Sequence, residues 1–434
     1  MKAGARATQS CLLLLAACVA LLLPACASAP SNDALPGLDA RFRGAYERKA
    51  RPEAARALAE IAARFPAALS RYSDDVIEST SLPQPVSSPD ENAARLELLQ
   101  QLFALRWKSR FGVEPSDLWM ELIVRLVEKG RVNDAVAVVP HIQSAREMVV
   151  LKVDKRFEPL MRLSAPVPGV EGTAKLNVSN WQAVMVRFPR SLEAVVEFVD
   201  ASLRAGEYEQ ALAATDAAIA KMVAAKSPRD VYDDADNMLT WLYARRASAL
   251  RALEKWGESE AELRKAMELP ERGGRNISNT INLAGFYVMI GRPDDAVAAL
   301  GPMAPDGGGR VSSFGLMQVK RVLCMVAVLR NDEAATHEAF EFISKHRTDA
   351  PGTFESMLLW TNRQDEWAQY VIERLRNPAE RADELRDLQI YAEKPPHPAQ
   401  IVMDKRYRAF ADRPDVRAAV AEVGVIEHFS IPSP

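Results

Sequence analysis

The stretch Leu203-Arg204-Ala205-Gly206-Glu207-Tyr208-Glu209-Gln210-Ala211-Leu212 decides the reading of the fold. A helical pattern runs into Gly206, and a second leaves it through Ala211, Leu212, Ala218 and Ile219. Small residues let two antiparallel helices approach at such a corner, and glycine relieves the backbone there. The same unit recurs at Lys129-Gly130-Arg131-Val132-Asn133-Asp134-Ala135-Val136 and at Ile290-Gly291-Arg292-Pro293-Asp294-Asp295-Ala296-Val297. Weaker copies lead from Glu254-Lys255-Trp256 to Ala266 and from Arg330-Asn331-Asp332 to Ala335. Strand signals are nearly absent, so the periodicity predicts an all-α chain.

Helix boundaries are legible around these corners. Ser88-Pro89-Asp90-Glu91 places a serine at the N-cap, a proline where its missing N–H costs nothing, and a glutamate positioned to close a capping box. Ser227-Pro228-Arg229-Asp230 and Asn377-Pro378-Ala379-Glu380 follow the same plan. Gly273-Gly274 and Gly307-Gly308-Gly309 read as stops.

On these residues the chain resembles the tetratricopeptide repeat family. Trp119, Leu122 and Ala135 fall on that family's consensus positions, as do Gly206, Tyr208, Ala211 and Ala218, and then Leu283, Ala284, Tyr287 and Ala296. Gly130, Gly291, Trp256 and Ala266 mark the same corners and helix contacts. The units recur about every 37 to 48 residues rather than every 34, and the closing consensus proline is mostly missing. The resemblance covers about half of the chain that follows the N-terminal signal. It implies a right-handed α-solenoid with helices of unequal length and says little of function.

A second echo sets Val153-Asp154-Lys155-Arg156-Phe157 against Met403-Asp404-Lys405-Arg406-Tyr407. Each follows an apolar approach read as extended, Met148–Leu151 and Ala399–Val402. Asp154 and Asp404 are expected to cap short helices, with Phe157 and Tyr407 covering the ends of helical stacks. A paired ligand motif is the alternative. Capping predicts two lobes, residues 39–165 and 186–434, joined by a hinge rich in Pro, Gly and Val at 166–185.

The N-terminus reads as an address. Lys2 and Arg6 precede an apolar run from Cys11 to Leu23, too short for a spanning helix, and Pro24-Ala25-Cys26 follows. Leu23-Pro24-Ala25-Cys26 resembles the lipobox of bacterial lipoproteins, with proline as its one departure. The resemblance implies a signal peptide at 1–25, lipid on Cys26, and an outer-membrane anchor facing the periplasm, since no aspartate follows the cysteine. Ordinary cleavage near Ala27, giving a secreted periplasmic protein, is the alternative. Residues 26–38, small, polar and punctuated by prolines, read as a flexible tether. Cys11 and Cys18 fall in the signal, so Cys324 is the one thiol of the folded body, and its apolar neighbours predict a buried packing residue.

Little in the sequence points to chemistry. The formal charge of −3 becomes −5 without Lys2 and Arg6, so nucleic acid is not an expected partner. His141, His337, His346, His397 and His428 lack metal-ligand spacing, and no metal or cofactor is expected. Asp74-Asp75, Asp233-Asp234 and Asp294-Asp295 read as acids at helix starts, and Trp360, Trp367 and Tyr370 as core. The expected function is a non-enzymatic scaffold, anchored by lipid and holding an unidentified protein partner of the cell envelope. The alternatives are a glycan- or peptidoglycan-binding lipoprotein and a hydrolase with dispersed carboxylates, which would need convergent groups of shifted pKa.

Overall fold

A computed structural model describes residues 34–433 except 84–86, 272, 304–310 and 394–396. The described residues are helical with no strand, and β pairing is confined to isolated bridges such as Asp154 with Gly424. The signal, Cys26 and the triple glycine at 307–309 lie outside the described residues. No described helix is long and apolar enough to cross a membrane.

The chain forms two compact units. The first comprises residues 34–81 and 87–106. It contains α1 (Ala34–Glu47), α2 (Arg51–Arg64), α3 (Asp74–Ser81) and α4 (Pro89–Ala104). Helix α1 starts inside the expected tether: Leu38, Phe42 and Ala45 form a buried face, and Pro36 is tolerated because first-turn N–H groups need no intrahelical partner. Ser88 caps α4, its hydroxyl accepting the Glu91 N–H at 3.1 Å. The Glu91 carboxylate does not close the box; it accepts instead from the buried Arg95 at 2.8 Å.

The second unit takes the rest. Its early helices are α5 (Ser116–Glu128), α6 (Val132–Val138), α7 (Ala145–Val153), α8 (Glu158–Leu163) and α9 (Val170–Arg187). Then come α10 (Leu192–Ala205), α11 (Tyr208–Ala224), α12 (Pro228–Val231), α13 (Ala235–Ala252), α14 (Trp256–Glu268), α15 (Ile277–Met289) and α16 (Pro293–Leu300). The last are α17 (Ser313–Leu329), α18 (Glu333–Lys345), α19 (Pro351–Trp360), α20 (Gln364–Arg376), α21 (Arg381–Asp387), α22 (Pro398–Ala411) and α23 (Pro414–Val423).

One corner geometry recurs in both units. Lys49, Gly130, Gly206, Glu254, Gly291, Asn331 and Asn362 each take left-handed backbone, with φ between 54° and 80°. After each, the next N–H reaches back five residues to a carbonyl at 2.8–2.9 Å, as in Arg131 to Leu126, Glu207 to Ser202 and Arg363 to Leu358. This is the 6→1 bond that satisfies an orphan carbonyl at a helix end. The acceptor residues Ala45, Leu126, Ser202, Leu250, Tyr287, Ala327 and Leu358 are all buried. Each corner therefore ties a backbone reversal to a core position. Past the corners Ala135, Ala211, Ser259, Ala296 and Trp367 are buried where the second helix meets the first. Trp119, Ala218, Ala266, Ala284 and Tyr287 are buried too.

From α9 to α20 each helix packs on its neighbours in the chain, and α10, α15 and α17 also meet the first helix of the next hairpin. The order of contacts then closes on itself, because α20 packs on α23 and α21 packs on α7. The tail after α23 follows this closure. Val425 N donates to Val153 O at 3.0 Å, Lys152 pairs with Glu427 at 2.9 Å, and Ser430 N donates to Glu171 at 3.0 Å. Gly424 passes so close that a Cβ there would stand 2.7 Å from both Val153 O and Leu385 Cδ2.

Four expectations are corrected. The hinge at 166–185 is mostly helix α9, capped by Gly169, with Val170, Ala174, Val178 and Val184 buried. Its prolines precede the first turn, where they are harmless, so they did not signal a linker. The boundary near 165 is absent; the two compact units part near residue 106. The paired caps are not equivalent. Asp154 does cap a short 3₁₀ turn, accepting the Arg156 N–H at 2.9 Å with Phe157 buried beneath, but Asp404 and Tyr407 lie inside α22. Met148–Leu151 and Ala399–Val402 are helical rather than extended. The local likeness of the two segments carries no common structure because their neighbours differ.

Candidate ligand cleft and buried carboxyl pair

A cleft of about 410 Å³ opens on the second unit over three consecutive corners, those of Gly206, Glu254 and Gly291. The last turn of α10 supplies Arg204, the first residue of α11 Tyr208, the last turn of α13 Arg251, the first residue of α14 Trp256, and the end of α15 Met289. His397 closes one side, its ring edge-on to Trp256 at 6.3 Å, and Pro432 of the tail borders the floor at Gly206. Among the described residues no aspartate or glutamate lines the cleft.

Arg251 stands out within this lining. It is half-buried, and among the described residues its guanidinium has no hydrogen bond or ion pair. Burial alone acts on it, pulling its pKa down, with no carboxylate opposing. On the same helix Arg245 pairs with Asp200 at 2.5 Å, and Arg246 with Asp216 at 2.9 Å and Glu262 at 3.0 Å. Arg204 is exposed at the rim.

A second cluster gathers charge behind α22. Glu384 of α21, fully enclosed, accepts from Arg374 Nε of α20 at 2.5 Å. Glu355 of α19 accepts from Trp367 Nε1 at 3.2 Å and meets Glu384 carboxyl to carboxyl. Burial raises both acids, Glu384 the more strongly because the Glu355 charge repels it as well. Glu384 Oε1 is buried without a hydrogen-bond partner among the described residues, which favours the protonated, uncharged acid there. Arg374 balances the remaining charge and its own pKa is raised by Glu384. Tyr407 of α22 stands beside them, its hydroxyl held protonated by burial and by Glu355, Glu384 and Asp387. Trp367 stacks on Phe410 with centroids 3.5 Å apart. The cluster thus fixes α22, whose start carries His397 to the cleft.

The residues singled out in the sequence separate into two groups. Gly130, Gly206 and Gly291 turn corners, and Ala135, Ala211, Ala218, Ala266, Ala284, Tyr287 and Ala296 are core. Tyr208 and Trp256, read as repeat positions, are half-buried and line the cleft. Trp360 and Trp367 are core and Tyr370 is half-buried, flanking the carboxyl cluster. Cys324 is buried, and burial pushes its thiol up to about 11. Asp233 pairs with Arg190 at 2.5 Å, and Asp234 accepts the Leu192 and Glu193 N–H groups at 2.6 and 3.0 Å, so these acids serve helix ends. Among the described residues no group of three or more His, Cys, Asp or Glu could hold a metal. Arg251, Glu355, Arg374 and Glu384 were not singled out; each reads as an ordinary charged residue of a helix, and only the tertiary fold makes them unusual.

No family model matches the chain, and no curated protein matches it.

Proposed function

We propose that the chain is an exported lipoprotein, cut before Cys26 and held by lipid at the outer membrane facing the periplasm. Its TPR-like hairpins stack as a right-handed α-solenoid and bind a partner polypeptide of the envelope without bond-making chemistry. The observation that carries this reading is the cleft over three consecutive corners, lined by an apolar, aromatic and cationic mosaic. Stacked repeats present side chains from several hairpins to one extended ligand, which suits a polypeptide. The convergent acids Glu355 and Glu384, by contrast, accept from Trp367 and Arg374 behind α22 and line no part of this cleft. Trp256 and Tyr208 favour a second reading, a glycan or peptidoglycan ligand stacked on rings.

Crosslinking the intact protein in its native envelope tests the first reading. Recovery of a defined protein partner is the expected result. Turnover of a cell-wall or glycan substrate with no partner recovered would overturn it. For the anchor, Cys26→Ser is expected to release the protein from the membrane fraction, and unchanged membrane association would refute lipidation.

A further inference from the structure

The seven corners allow an internal comparison. The residue three places before the left-handed position is Tyr46, Val127, Leu203, Val288, Val328 or Leu359 at six of them. At the seventh it is Arg251. The corner geometry is the same there, with Lys255 N donating to Leu250 O at 2.8 Å. The fold therefore asks for no charge at this place, and an uncharged side chain serves it everywhere else.

Holding a guanidinium in a half-buried position without acceptors costs free energy, because lost water contacts are not replaced. The negative end of the α13 dipole offsets part of that cost but supplies no acceptor within the cleft. The lining offers Trp256 and Tyr208 as flat apolar walls, Met289 as an adaptable one, and Arg204 as a second cation at the rim. A volume of about 410 Å³ falls in the range of small-ligand sites.

From these features we propose that the cleft is a binding site for an organic anion: a carboxylate or phosphoryl group seated on Arg251, joined to a flat apolar body against Trp256. Arg204 draws the anion in from solvent, and Arg251 forms the charge-assisted hydrogen bonds that fix it. The site stands on the cleft alone, so a failure to find a protein partner in the envelope leaves it intact.

Calorimetric titration of the purified protein with 2-naphthoate, 2-naphthyl phosphate and the neutral 2-naphthamide tests this. At least one anion is expected to bind about tenfold or more tighter than the amide, the range of a hydrogen bond to a charged group. The preferred anion distinguishes carboxylate from phosphoryl recognition. Arg251→Met is expected to reduce anion binding to the level of the amide, while Arg251→Lys keeps part of it; melting curves check that both variants fold. Trp256→Leu should weaken all three probes. Equal affinity for the three probes, no binding of any, or full anion binding by folded Arg251→Met would each overturn the proposal.

Discussion

Arg374, buried, and Arg251, half-buried, both lose water contacts in the same unit, yet their surroundings are opposite. Arg374 donates to Glu384 at 2.5 Å and lies over the ring of Tyr370 at 5.5 Å. Arg251 lines an open cleft and meets no acceptor among the described residues. A buried charge with its partners in place fixes helices, whereas one without them is a cost that the fold alone does not explain. The contrast assigns the first cluster to architecture and the second to binding, and it can be broken from either side.

The largest effect is expected at the satisfied cluster. Arg374→Met leaves the two acids without their cation and should cost about 3–5 kcal/mol in chemical unfolding, the penalty for breaking a buried pair. A loss under about 1 kcal/mol would show that the cluster does not hold α20 and α21 together.

The pH dependence of the same cluster follows from the raised pKa of Glu355 and Glu384. The folded chain holds a proton there that the unfolded chain releases, so this contribution is full below the ordinary glutamate value of 4.5. It is lost as pH rises through the raised folded value. Glu384→Gln keeps the hydrogen-bonding shape without ionising. Its stability relative to the parent should therefore climb as pH rises from 4.5 to that raised value and level off above it, and parallel pH profiles of the two proteins would contradict the raised acid.

Closure by the tail gives the next effect. Gly424→Ala drives a methyl group into Val153 O and Leu385, so it should cost about 1–3 kcal/mol, the range for overpacking. Hydrogen exchange at the Val425 amide, bonded to Val153 O, is expected to quicken; unchanged exchange would mean that the tail accommodates the methyl without moving. The smallest effect is a gain. Asn362→Gly relieves a left-handed asparagine and should stabilise by up to about 1 kcal/mol, whereas a clear loss would contradict the corner strain.

Asn362 also shows where the sequence stopped being readable. Corners marked by glycine, at 130, 206 and 291, announce themselves, but Lys49 and Asn362 build the same 6→1 bonds without one. Tertiary packing supplies there what local preference does not, so these two hairpins were missed. The α9 segment was misread for the converse reason: Pro166, Pro168, Gly169 and Gly172 suggest a linker, although Val170, Ala174 and Val178 carry a helical face. The likeness of the segments around Asp154 and Asp404 misled because caps are made by position at a helix end, not by a tetrapeptide. At the candidate site only Tyr208 and Trp256 stood out in the sequence. Glu355, Arg374 and Glu384 come from three helices, and nothing local distinguishes them from solvated charges.

The most direct test of the contrast is the unfolding free energy of Arg251→Met, measured without ligand beside the parent. If Arg251 is kept for binding, the variant is as stable as the parent or more so, within about 1 kcal/mol, because the other corners carry uncharged side chains at this place. A loss matching that of Arg374→Met would instead make Arg251 part of the architecture, and the cleft would lose its cation as evidence of a ligand.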